Sequence, residues 1–360
     1  MLTLWLRAVT LRVHSIRAGR DKPGLRPQHL TGLQLIATLS GGALQGGAVG
    51  SSDITLAPGR LVAGTHTADT GTAGSVALLA QSALPCLLFA APDPRTGSRS
   101  SALTLLGGTD AAMAPPVDFV RLVLLPTLRA KLALPELDLE LTRRGFYPKG
   151  GGAVTLRAAA LPPGATLPPL LLDQRGAICA VRGVAFAAGT VPMHVAERIA
   201  AAARGALVAA GTPVRMIDIS VVHEPPARAR GDGAGITLVA ETDAGCRLGA
   251  SVLGERGVAS EEVGARAGAA LAAALTTGAC VDEHLADQVI VFMALASGES
   301  RVLAPAPLSL HARTAIAVAE QLTSARFEVL PPGADTGLGR AVSAGACLVR
   351  CIGAAITPRA

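Results

Sequence analysis

Apolar and polar positions along the chain fall into two periods. Alternation over residues 9–16 predicts a strand, and Pro27-Gln28-His29 opens a helical stretch to about residue 39. Gly41, Gly42, Gly46 and Gly47 end it. Residues 54–56 and 60–63 read as short strands. A second helix runs from about residue 74 to 84, is interrupted at Pro85 and continues over 87–90. Residues 102–106 form a strand and 117–130 a third helix, despite Pro126. Residues 137–143 and 153–159 are strands around a Gly-rich turn. This is a recurring unit rather than a single doubly wound sheet.

The stretch 177–253 differs in character. A strand at 178–184, a helix at 194–210, strands at 214–222 and 236–241, and a polar loop at 226–235 describe a smaller α/β domain inserted into the larger one. Helices at 260–275 and 285–296, a strand near 301–303, a helix at 314–325 and strands at 327–330 and 346–352 then repeat the early grammar. The expected class is α+β (α/β). Residues 1–160 and 254–360 make the large domain and 177–253 the small insert.

Composition supports a packed protein: half of the 360 residues are apolar and 16% are charged. No apolar run is long enough to span a membrane, so no membrane partner is expected. The net charge of +6 suits a polyanion such as RNA or a nucleotide. The basic residues concentrate early, with Arg7, Arg12, Arg17, Arg20, Lys22 and Arg26 set against Asp21 over the first 31 positions. A transit peptide is one reading of that acid-poor start. With one Trp, one Tyr and six Phe, the chain is no multi-aromatic RNA module. Any RNA binding must rest on phosphate contacts and a pocket for a chain end. The six cysteines form no C-x-x-C pair. Cys347 and Cys351 on one strand would sit about 13 Å apart, so six reduced thiols in an intracellular protein are expected.

Five stretches carry candidate chemistry. In the first, Ser15-Ile16-Arg17-Ala18-Gly19-Arg20 and Arg26-Pro27-Gln28-His29, a strand passes through a basic loop into a helix N-terminus. Guanidinium forks and free N–H groups there suit phosphate, while a solvated basic loop is the plainer reading. Gly107-Gly108-Thr109-Asp110 leads through Pro115-Pro116 into a helix, and is structural when read bare. Arg144-Gly145-Phe146-Tyr147-Pro148-Lys149-Gly150-Gly151-Gly152 allows close backbone approach, with a hairpin turn as the plainer reading. Asp282-Glu283-His284 and Asp287-Gln288 mark a helix start that Asp282 can cap and where Asp287 can face a metal or orient a base, with a charged first helical turn as the plainer reading. Finally, Leu308-Ser309-Leu310-His311-Ala312-Arg313 puts an imidazole at a strand-to-helix junction. There it could serve as a nucleophile toward phosphorus, although a lone histidine is more often structural.

Together, and with His66-Thr67-Ala68-Asp69-Thr70-Gly71-Thr72-Ala73-Gly74-Ser75 and Leu253-Gly254-Glu255-Arg256-Gly257-Val258, these stretches resemble the RNA 3′-terminal phosphate cyclase family from about residue 8 to the last strand. The later motifs are worded more like its eukaryotic branch. The resemblance implies a large domain of repeated βαβαββ units with one inserted α/β domain. It implies a ligase-type enzyme that uses ATP as co-substrate with a divalent metal, Mg or Mn. The substrate is an RNA 3′ end, and a nuclear location is expected, with the cytoplasm as the other option. His311 would take AMP from ATP, pass it to the RNA 3′-phosphate, and the 2′-hydroxyl would close a 2′,3′-cyclic phosphate. Gln81, Pro115, His284, Asp287 and Gln288 match positions around the nucleotide. Arg17, Arg20 and Gln28 match positions near the phosphates. The family usually has Tyr where His284 stands, stacked on adenine opposite the proline, so a His284–Pro115 sandwich is expected here.

Members usually begin with a strand and a loop of the kind D-G-x-x-G-E-G-G-G-Q, whose glutamate is a metal ligand. Met1-Leu2-Thr3 falls near the end of the helix that follows that loop. The chain therefore reads as incomplete or mis-started, and its metal ligands cannot be assigned from it. Two alternatives frame the test. A non-catalytic paralogue acting in ribosome biogenesis lacks the histidine that His311 matches. The enolpyruvyl transferases share the repeated architecture but none of these motifs.

Overall fold

The computed structural model describes residues 9–337, 339 and 341–358. Two compact units emerge: Met1–Ala114 with Glu136–Leu167 and Ala355–Ala360, and Pro115–Pro135 with Pro168–Ala354.

The first unit begins with an antiparallel sheet of β1 (Leu11–Val13), β2 (Ala43–Gln45) and β3 (Ile54–Ala57), with β3 central. Helix α1 (Pro27–Ser40) starts at a proline, whose missing N–H costs nothing in a first turn. It ends on Gly41 at φ +58°, a left-handed stop that glycine reaches cheaply. Leu25, Leu33 and Ile54 form the small core there, flanked by Val13, Ile16, Leu30 and Leu44.

A second sheet in this unit has the order β6-β7-β5-β4: β6 (Asp138–Gly145), β7 (Gly152–Ala159), β5 (Ser100–Gly107) and β4 (Thr65–Asp69). The β4–β5 pair is parallel and the rest antiparallel. Helix α2 (Val76–Leu88) bridges β4 to β5. It runs unbroken through Pro85, where an interruption was expected. Ten of its thirteen residues are buried. That burial outweighs the roughly 3 kcal/mol cost of an interior proline.

Helix α3 opens the second unit as three consecutive segments, Val117–Phe119, a π-helical Val120–Leu124 and Leu125–Lys131. Pro126 cannot donate to the carbonyl of Leu122. The widened turn accommodates it, and Arg247 Nη1 donates to that carbonyl at 3.3 Å instead.

After β8 (Leu171–Leu172), the order β10-β9-β12-β13 describes a four-stranded sheet of β9 (Ile178–Ala188), β10 (Ile217–Glu224), β12 (Gly233–Thr242) and β13 (Arg247–Leu253). β11 (Ala229–Arg230) is a short strand between β10 and β12. Helices α4 (Met193–Ala209) and α5 (Ser260–Thr276) pack on this sheet and on each other. The helix contact is close: a Cβ on Gly264 would lie 2.1 Å from the carbonyl oxygen of Ile199.

Helix α6 (Glu283–Leu295), β14 (Glu299–Pro305), α7 (Leu310–Leu322), β15 (Arg326–Leu330) and β16 (Ala346–Ile352) follow. Their sheet has the order β15-β16-β14-β8, with β14 parallel to β8. Chain order and pairing match those of β4 through β7. The expected βαβαββ unit thus occurs twice, and in the second copy residues 178–276 intervene between its first strand and first helix.

Several elements differ from expectation. Residues 60–63 make only an isolated bridge, Val62 to Ala91. β10 begins at Ile217 after a short 3-10 turn. α7 begins at Leu310, which moves His311 from a junction into the helix's first turn. All six cysteines are free thiols. Among the described residues no helix is long and apolar enough to cross a membrane.

Candidate active site

In the second unit the candidate chemistry gathers at two helix starts. Asp282 caps α6, accepting from the His284 and Leu285 N–H groups at 2.9 Å each. Its other oxygen accepts the Gly249 N–H at 2.8 Å, tying α6 to β13. Burial raises its pKa, and these N–H groups oppose the rise. Asp282 is therefore structural: it fixes where His284, Asp287 and Gln288 emerge. Those three share a helix face at i, i+3 and i+4.

His284 is exposed and meets Phe119 edge to face, with ring centroids 5.7 Å apart at 85°. The ring contact on this histidine is thus with Phe119, four residues beyond the half-buried Pro115. Sequence reasoning did not single out Phe119, and the one available signal was its rarity among so few aromatics. Gln288 is 3% exposed, and its Oε1 is buried without a hydrogen-bond partner. A buried orphan acceptor is costly, and it suits an N–H donor such as an exocyclic amine of a base.

Asp287 lies one turn into α6. Burial pushes its pKa up to about 6, and the neighbouring imidazoles of His284 and His311 pull the other way. Helices α6 and α7 pack on each other, which leaves His311 near enough to act on the Asp287 carboxyl. His311 is exposed in the first turn of α7. Ser309 caps that turn by accepting the Ala312 N–H at 3.1 Å. A helix N-terminus favours an approaching anion. An exposed imidazole at such a helix start has the chemistry of a nucleophile toward phosphorus.

In the first unit a second group forms around the start of α1. Arg17 has φ +55°, and its Nη1 donates to the carbonyls of Lys22 at 2.6 Å and Gly24 at 3.3 Å, closing its own loop. Burial, then Arg17 and Arg26, lower the pKa of His29. These groups thus form one electropositive cluster beside the exposed Arg20. Gln28 Oε1 accepts the Ser75 N–H at 2.9 Å, holding the entry to α2, on which Gln81 is half-buried. Arg17 and Gln28 therefore have structural partners, in the loop before α1 and at the entry to α2. Arg17, Arg20, Gln28 and Gln81 belong to the first unit, and Pro115, His284, Asp287, Gln288 and His311 to the second.

No group of three His, Cys, Asp or Glu side chains able to hold a metal ion occurs among the described residues. These residues do not fit a divalent metal site built by the protein alone.

The family model described as RNA 3′-terminal phosphate cyclase matches residues 5–329. Among curated relatives, the RNA 3′-terminal phosphate cyclase of Pyrobaculum neutrophilum is 39% identical over 322 residues, 89% of this chain and 86% of that one. The protein of that name from Pyrococcus furiosus is 37% identical, covering 90% and 89% of the two chains. The one from Nitrosospira multiformis is 38% identical, covering 90% and 87%. With the family model spanning most of the sequence and relatives aligned over nearly all of it, this chain belongs to the RNA 3′-terminal phosphate cyclase family.

Proposed function

We propose that the chain converts an RNA 3′-terminal phosphate to a 2′,3′-cyclic phosphate at the expense of ATP, through a His311–AMP intermediate. The observation that carries this reading is the exposed His311 at the capped start of α7, coupled to the half-buried Asp287.

In the first step a ring nitrogen of His311 attacks the α-phosphorus of ATP. A P–N bond forms and pyrophosphate leaves. Asp287 orients the imidazole and offsets the positive charge that develops on it. Gln288 offers its buried oxygen to the base, while His284 and Pro115 offer flat faces. In the second step an oxygen of the RNA 3′-phosphate displaces His311 from the adenylyl group and forms an anhydride. In the third, the vicinal 2′-hydroxyl attacks the 3′-phosphorus, loses its proton and expels AMP. A phosphate monoester is a poor electrophile until it carries such a leaving group, which is why ATP is consumed. Arg17, Arg20 and Gln28 are assigned to the phosphates.

Two further assignments belong to this reading. Residues 177–253 belong to the small inserted domain, and α5, which packs on the same sheet and on α4, extends that insert to residue 276. The nuclear location rests on the branch resemblance alone, and microscopy of the tagged protein tests it.

The function is tested with 3′-phosphorylated RNA, ATP and purified protein. We expect the RNA terminus to become resistant to phosphatase, with AMP and pyrophosphate released one for one. His311→Ala should abolish this. Turnover by His311→Ala at the parental rate would refute the assignment.

A further inference from the structure

Tyr147 is the one tyrosine of a chain poor in aromatics, and it is 85% exposed. Its hairpin is firmly built. Phe146 beside it is buried and pairs with Gly150, whose N–H donates to the Phe146 carbonyl at 2.8 Å. Arg143 Nε donates to the Gly151 carbonyl at 2.9 Å. Below, Thr109 and Gly145 exchange hydrogen bonds, and the buried Arg144 pairs with Asp110 at 3.3 Å. At the tip, Gly150 has φ +59°, and a Cβ there would lie 2.0 Å from the Thr72 carbonyl oxygen. The hairpin therefore presses on the 70–75 loop, whose Ser75 N–H is held by Gln28.

Contacts thus run within one unit from Gln28, at the start of α1, through the 70–75 loop to Gly150 of the hairpin that carries Tyr147. Arg143 and Lys149 belong to the same hairpin and are both exposed. The 70–75 loop itself holds no acid, and Asp69, the last residue of β4, accepts the Gly71 N–H at 2.8 Å. A rigid hairpin that displays an aromatic ring to water and carries two exposed cations has the parts needed to stack a base and meet strand phosphates.

We infer that Tyr147 is the stacking platform for a base of the RNA strand upstream of its 3′ end, with Arg143 and Lys149 on the adjoining phosphates. This deepens the proposed function and rests on it. Stacking reads no hydrogen-bond edge, so the platform accepts any base. It supplies grip on the strand without sequence choice.

The test uses the full chain and 5′-labelled single-stranded RNA ending in a 3′-phosphate, followed by fluorescence anisotropy at fixed salt. Tyr147→Ala should raise Kd roughly tenfold, while Tyr147→Phe, which keeps the ring, stays within about twofold. Lys149→Ala should weaken binding and lower the slope of log K against log salt by about one. A nucleoside 3′-phosphate, lacking an upstream base, should bind parent and Tyr147→Ala alike. Formation of the His311–AMP adduct from ATP alone should be unchanged by Tyr147→Ala. If the parent binds RNA and Tyr147→Ala binds it equally, the platform is overturned while the RNA-end reading stands. If the parent binds no RNA, the RNA-end reading itself fails and takes the platform with it.

Discussion

In the proposed mechanism Asp287 orients the His311 imidazole, a role that requires its carboxyl, pushed up to about 6 by burial, to be ionised. Adenylation should therefore fall as pH drops through about 6, and Asp287→Asn should slow it roughly a hundredfold while removing that limb of the pH profile. A profile with the same limb in Asp287→Asn would separate Asp287 from catalysis. The same shift bears on stability. The folded state holds this proton more tightly than the unfolded chain, so the stability it contributes is present at low pH and lost as pH rises from 3.8 toward about 6. Denaturant melts should show Asp287→Asn gaining on the parent between pH 4 and pH 7. A constant difference across that range would contradict the burial argument.

At the scale of elements, two contacts carry consequences. Ser309 satisfies an otherwise free N–H at the start of α7, and Ser309→Ala should cost about 1 kcal/mol by denaturant melts. The same change should slow adenylation, because it loosens the turn that presents His311. Full activity in Ser309→Ala would show that the cap does not position the imidazole. Gly264 lets α5 lie on α4, and Gly264→Ala should cost about 1–3 kcal/mol because its Cβ would strike the Ile199 carbonyl. An unchanged melt would contradict that close packing.

Sequence reading located the helices well where their ends carry chemistry, as with Pro27 and Gly41 on α1. It missed β4 because Thr65–Asp69 alternates exposed and half-buried positions without an apolar face. It missed β13, where Arg247–Leu253 includes a glycine and a serine that break the pattern. The spacing of His284, Asp287 and Gln288 was legible as one helix face. The part of Phe119 was not, because it depends on tertiary contact with a helix more than 160 positions away in sequence. Likewise, no local pattern shows that Arg247 takes over the carbonyl that Pro126 leaves without a donor.

Among the described residues the βαβαββ unit appears twice, and each of the two compact units holds one group of candidate residues. A cationic cluster and a displayed tyrosine lie in one, and the imidazole, carboxylate and orphan amide in the other. The division of labour is chemical: one group is suited to holding a polyanion, the other to activating a nucleotide. The central claim is that His311 becomes covalently adenylylated, and mass spectrometry of peptides from protein incubated with ATP tests it most directly. The account predicts one acid-labile adenylyl group on the peptide containing His311, absent in His311→Ala. An adduct on another residue, or one that survives in His311→Ala, would contradict it.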